Sequence, residues 1–213
     1  MVTRRTAHRG GVLLTAFALA ALACNAALGI DEATLDPSLA TSQSQAQPLN
    51  CDTYCSTIMQ NCSGVNQEYL NADVCKEMCG HFELGIPNDQ TEDSLTCRIW
   101  HANSAAVSPS VHCKHAGPTG GGHCGTQPCN AYCLLDVALC NGALSAYDGG
   151  ETACRTECAK YTYITDPNTP DLIADGNTLN CRLYHLESAY DPSSTAAKTT
   201  HCPHTGRVSA TCF

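Results

Sequence analysis

Cysteine and apolar side chains recur along this chain at helical spacing, in two places that match one another. Cys51, Tyr54, Cys55, Ile58, Met59 and Cys62 fall at i, i+3, i+4, i+7, i+8 and i+11, one face of an α-helix. Cys129, Tyr132, Cys133, Val137 and Cys140 write the same face 78 residues later, with Asp136 interrupting it. A second short helix is predicted around Cys75, Met78 and Cys79, with Asn71 or Asp73 near its start and Gly80 as its stop. Cys154 and Cys158 mark its counterpart. A third begins near Asp93, carries Cys97, Ile99, Trp100 and His101, and stops before Pro109. Asn177 stands to Cys181 as Asp93 stands to Cys97, and both are N-cap types. From His112 to Cys124 the chain reads as a Gly- and Pro-rich loop.

Successive cysteines are separated by 3, 6, 12, 3, 17, 15 and 10 residues in the first copy and by 3, 6, 13, 3, 22, 20 and 9 in the second. Spacings inside predicted helices are kept and the changes fall in predicted loops, where insertions disturb least. The fold class expected is all-α and disulfide-rich: a tandem pair of stapled helical hairpins, each with a third helix and a cysteine-closed loop. Antiparallel helices would pair Cys51 with Cys79, Cys55 with Cys75, Cys129 with Cys158 and Cys133 with Cys154. Cys62 is expected to join Cys97, Cys140 to join Cys181, Cys113 to join Cys124 and Cys202 to join Cys212. The repeats span 51–125 and 129–213. Thr126-Gln127-Pro128 is so short a joint that they should pack side by side.

Composition supports staples over an ordinary core. With 17 cysteines but 3 Phe, 1 Trp and 3 Met, the chain has few large side chains to bury and needs cross-links, hence an oxidising compartment. Residues 1–23 read as a signal peptide: Arg4, Arg5 and Arg9 precede an apolar stretch, Gly11 to Ala23, that is too short to span a bilayer. No Phe-Leu follows Arg4-Arg5, which favours the general secretory route over the twin-arginine one. Ala21-Leu22-Ala23-Cys24 resembles a lipobox with Ala in place of its usual leucine, and an ordinary A-x-A cleavage would also cut before Cys24. Eight cysteines in each repeat leave Cys24 as the odd one, so its lipidation is expected.

Residues 24–50, rich in Ser, Gln and acids, then form a flexible tether. Removing Arg4, Arg5 and Arg9 takes Lys plus Arg from 11 to 8 against 20 Asp plus Glu, a formal balance of −12. Such a chain repels nucleic acid and anionic lipid, so membrane attachment would come from the lipid alone.

The candidate chemistry is histidine. His101, His112 and His115 correspond in register to His185, His201 and His204, and three imidazoles suit zinc or copper with a fourth position open. The plainer alternative is that these rings hydrogen-bond loop carbonyls beside the disulfides. Redox catalysis and haem attachment lack their Cys-x-x-Cys signatures. Gly117 to His123 lacks the Lys-Ser/Thr of a phosphate loop and reads as a flexible surface loop. Arg98 and Arg182 are expected in local ion pairs rather than as an anion clamp.

The twofold pattern of Cys-x3-Cys, Cys-Arg-x-aromatic-His and His-Cys-x-His, with Gly-Pro-x-Gly before Cys124, resembles that of uncharacterised cysteine-rich lipoproteins of myxobacterial type. The stretch Cys24 to Asp31 is similar to the start of lipoproteins from that group. The resemblance implies a place on the outer envelope and carries no activity. Twin-cysteine helical hairpins are similar too, although Cys62, Cys97, Cys113 and Cys124 depart from that smaller pattern. The expected function is an exported, lipid-anchored structural or interaction module of the cell envelope, without catalysis or cofactor, whose partners are the membrane and other envelope proteins. The alternative is extracytoplasmic zinc or copper binding through the two histidine sets.

Overall fold

A computed structural model describes residues 50–213. The predicted signal peptide, Cys24 and all of the tether before Asn50 lie outside the described residues. Each repeat opens with a helix whose cysteine-bearing face turns inward. In α1, Cys51–Asn61, the Asn50 side chain accepts from the Thr53 N–H at 2.9 Å, and Tyr54, Cys55 and Ile58 are buried. Asn71 caps α2, Ala72–Cys79, in the same way. Gly80 ends α2 in ordinary right-handed backbone, and Ala159 does the same in the second copy, so that stop does not need glycine's conformational freedom. The helix α3 spans Leu95–Ser104 and α4 Pro109–Ala116. The second copy repeats the series as α5 Pro128–Leu139, α6 Gly150–Cys158, α7 Leu179–Tyr190 and α8 Ala197–His201. Among the described residues there is no strand beyond one isolated bridge, Thr162 to Thr178, and no helix long and apolar enough to cross a membrane. The fold is all-α and disulfide-rich, as the pattern predicts.

Helix α3 starts one residue later than the sequence suggests. The Ser94 hydroxyl, not Asp93, accepts from the Cys97 N–H, and Thr178 does so for Cys181, each at 3.1 Å. Asp93 and Asn177 are held instead by arginines one turn inside the helix. Arg98 is fully buried, bonded to Asp93 at 2.7 Å and to the carbonyls of Ser94, Gly117 and Pro118, with the Phe82 ring 4.1 Å beneath it. Arg182 repeats this with Asn177, Thr178, Cys212 and the Tyr161 ring. Both are internal braces, which removes the anion-clamp alternative.

The four hairpin staples form as predicted, Cys51–Cys79, Cys55–Cys75, Cys129–Cys158 and Cys133–Cys154. The other four pairings differ. Cys62 joins Cys113 and Cys97 joins Cys124; Cys140 joins Cys202 and Cys181 joins Cys212. The reason is α4, a helix inside the stretch read as a loop: Pro109 opens it at the first helical position, where its missing N–H does no harm. Helix α4 lies back along α3 and brings Cys113 to Cys62 at the end of α1, which leaves Cys97, at the start of α3, to meet Cys124. In the second copy α8 does the same for Cys202. A tyrosine clasp closes each copy: Tyr54 donates to the Ala116 carbonyl and shares a hydrogen bond with the Tyr69 hydroxyl, whereas Tyr132 and Tyr147 both donate to the Thr205 carbonyl.

No disulfide joins the two copies. They meet through α2 against α7 and a buried polar seam. Lys114 bonds to Asp171 and to the carbonyls of Ile164 and Thr169; Tyr163 and Asn180 complete Asp171. Glu187 accepts from the Leu70 N–H at 2.8 Å. Burial raises the Glu68 and Glu187 carboxyls well above the ordinary range.

Candidate functional site

The histidines gather because α3 and α4 face each other. Cys97 and His101 share one face of α3, one turn apart, and His112 and His115 share the facing side of α4. His101 is buried, with Nε2 3.2 Å from the Gln90 carbonyl and Nδ1 2.9 Å from His112 Nδ1. A carbonyl only accepts, so His101 carries its proton on Nε2 and presents the Nδ1 lone pair, to which His112 donates. Burial pushes His101 and His115 down to about 4, and lowers His112 as well, so these rings are neutral near pH 7. Trp100 packs edge-on against His101 and His112.

A fourth ring completes the group. Beyond α4 the chain turns through Gly120, Gly121 and Gly122, all at positive φ. At Gly121 a Cβ would come 2.7 Å from the Lys114 carbonyl oxygen, so glycine is required there. This is a packed turn, with Gly117 to Gly120 buried, not the flexible surface loop that the composition suggests. It delivers His123 beside His115, stacked at 4.5 Å between centroids, and 4.9 Å from His101. Each of His101, His115 and His123 brings a ring nitrogen within 4.8 Å of the others. Imidazoles so placed can share a zinc or copper ion.

The sequence points to His101 and His115, which the structure brings together with a ring it passes over, His123. Searching for histidines that match between copies passes over it, because Thr211 stands at its place in the second copy. There His185 bonds the Ala174 carbonyl at 3.1 Å through Nε2 and His201 at 3.1 Å through Nδ1, while His204 Nδ1 lies 3.4 Å from the Thr211 hydroxyl. The plainer alternative, rings bonded to loop carbonyls beside disulfides, is thus realised at His101 and His185 in both copies. Two further ligand-like groups, Cys97 with His101 and Cys124, and Cys181 with His185 and Cys212, contain disulfide sulfurs that offer no thiolate.

Fold and site together define a disulfide-closed, all-α module with packed histidines in both copies and a four-ring cluster, His101, His112, His115 and His123, in the first. Residues 15–128, more than half of the chain, match the BfoA family C-terminal domain, and the chain belongs to that family. It is 37% identical over 87 residues to the aurasperone B biosynthesis cluster protein A of Aspergillus niger, covering 39% of this chain and 28% of that one. It is 37% identical over 73 residues to the bifonsecin B biosynthesis cluster protein A of Aspergillus brasiliensis, covering 34% and 25%. A protein of Acanthamoeba polyphaga mimivirus named for an EGF-like domain shares 29% identity over 157 residues, 65% of this chain and 30% of its own. The chain spans less than a third of the length of these curated relatives. No solved structure matches it. The likeness to myxobacterial lipoproteins has no counterpart among these relatives.

Proposed function

We propose that the chain is exported, anchored by a lipid on Cys24, and serves the cell envelope as a covalently stiffened structural or interaction module without catalysis of its own. The cysteine count carries the reading. Eight disulfides take up sixteen of the 17 cysteines and leave Cys24 as the remainder. In an oxidising compartment a leftover thiol invites mispairing, and lipidation removes it. Four staples in each copy, with a buried seam between copies, suit a platform that keeps its shape outside the cell. The arginines that resemble a binding clamp are occupied internally, which also favours a scaffold over a catalyst.

The test is a bacterial host with lipoprotein processing and a palmitate label. The chain should take up label, sediment with membranes and show no thiol when denatured without reductant. Cys24→Ser should lose the label and the membrane association while the mass still reports eight disulfides. An unlabelled chain with one reactive thiol at Cys24 overturns the anchor, and several reactive thiols overturn the stapled frame.

A further inference from the structure

The two copies differ at one ring atom. His115 Nδ1 is buried with no hydrogen-bond partner, whereas its counterpart His204 Nδ1 has the Thr211 hydroxyl at 3.4 Å. Thr211 stands directly before Cys212 as His123 stands directly before Cys124, and both of those cysteines are tied to the first turn of the helix that bears the central histidine. The position that completes a hydrogen bond in the second copy therefore supplies another imidazole in the first. Buried polar atoms are nearly always satisfied, so an orphaned nitrogen on a ring packed against two more imidazoles calls for a shared partner that is itself electron-poor.

We propose that His101, His115 and His123 hold one borderline divalent transition-metal ion, of the zinc or copper(II) class, and that the second repeat holds none. Imidazole nitrogens select such ions over calcium and magnesium, which take oxygen. Donors bonded at about 2.1 Å lie at most about 4.2 Å apart across a shared ion. The present spacing, within 4.8 Å, closes by small side-chain rotations of half-buried His115 and exposed His123. His101 is the fixed member: its Nε2–H on the Gln90 carbonyl is the kind of outer contact that orients a ligating ring, and its Nδ1 lone pair, which accepts from His112, bonds the ion once that hydrogen bond opens. His112, 2.9 Å from that Nδ1, is the nearest additional donor. The acidic chain draws cations toward the cluster. What the copies share, the central histidine with its carbonyl and its α4 or α8 neighbour, is framework; what only the first copy has, the His115–His123 stack, makes the site. The inference is independent of the lipid anchor.

The full chain, made in an oxidising compartment and stripped with a chelator, is titrated with Co2+, whose tetrahedral nitrogen complexes absorb visible light, then with Zn2+ and Cu2+ in competition. Bound metal is counted by mass spectrometry. One equivalent per chain is expected. His123→Ala, at an exposed position, should weaken binding at least about 100-fold, beyond the roughly 10- to 100-fold that outer-contact losses produce. His204→Ala should change neither stoichiometry nor affinity. Retention of eight disulfides and the helical circular dichroism shows that each variant is folded; should His123→Ala fail that check, His123→Gln is read in its place. No ion on the folded chain, two equivalents, or wild-type binding in the folded His123 variant overturns the proposal, as does an equal loss in His204→Ala.

Discussion

Asp136 should make this protein less stable as pH rises from about 4 toward neutrality, and replacing it should remove that loss. The carboxyl sits on α5 where α1 carries Ile58, three residues after the second cysteine of each copy, and both side chains are buried. Neither of its oxygens has a hydrogen-bond partner. Thr205, the one nearby group that favours ionisation, gives its hydroxyl proton to the Cys202 carbonyl at 2.9 Å. Burial therefore wins and pushes the carboxyl from its ordinary 3.8 up to about 7. A folded-state value above the unfolded one means that the native state holds the proton more tightly. The contribution is thus most favourable below pH 4, declines between pH 4 and 7, and is constant above. At about 1.4 kcal/mol per pH unit the decline amounts to about 4 kcal/mol.

Denaturant unfolding with the disulfides intact, at half-unit steps from pH 4 to 8.5, measures this. Glu68 and Glu187 are also raised by burial and will tilt the wild-type profile the same way, so the difference between the wild type and Asp136→Asn isolates the residue. Asparagine cannot ionise and keeps the shape, so the variant should gain on the wild type by a few kcal/mol between pH 5 and 8. Asp136→Ile, which copies the first repeat, should gain at every pH in that range. Parallel profiles for wild type and Asp136→Asn would refute the argument.

Removing the Cys62–Cys113 bridge as a double serine variant opens a loop of 51 residues and should lower stability by about 4 kcal/mol in the same assay. Peptide mapping without reduction should recover Cys97 linked to Cys124 and Cys181 to Cys212, and a Cys113–Cys124 peptide would contradict the fold. Arg98→Ala leaves Asp93 and three carbonyls without their donor and should cost roughly 3 to 5 kcal/mol; Arg98→Lys should recover little, because one ammonium cannot replace a fork that spans four acceptors. Thr211→His should give the second copy the ring it lacks and raise bound Co2+ from one equivalent to two.

The hairpins were legible because Cys-x3-Cys fixes two side chains on one helical turn, and a facing pair leaves one antiparallel pairing. The rest depended on α4, which five helix-neutral residues, a proline and a following glycine run disguise as a loop. Read as a loop, this stretch pairs Cys113 with its near neighbour Cys124. The same disguise hides the place of His123 among the other histidines. His101 lies one turn after Cys97 and His123 directly before Cys124, so the Cys97–Cys124 bridge alone draws the two rings together, whereas a Cys62–Cys97 bridge gives His123 no route to His101. The capping error was smaller: Asp93 and Ser94 are both good caps, and the choice falls to serine because Arg98, invisible as a buried group in sequence, takes the aspartate.

Cross-linking also explains why so small a core tolerates so many buried polar atoms. Asp136, Glu68 Oε2, Glu187 Oε1, His115 Nδ1 and Arg182 Nε are all buried without partners, and each such atom costs a fold roughly 1 to 3 kcal/mol. A chain held only by packing, with a net stability of about 5 to 15 kcal/mol, would be near its limit with several of these. Here every copy carries four bridges that each remove about 3 to 4 kcal/mol of unfolded-state entropy. The covalent frame does not satisfy the orphaned atoms; it lets the fold survive them. The first copy can then hold an imidazole nitrogen buried and without a protein partner in the metal-free chain while the other copy, on the same frame, closes the equivalent atom with a threonine.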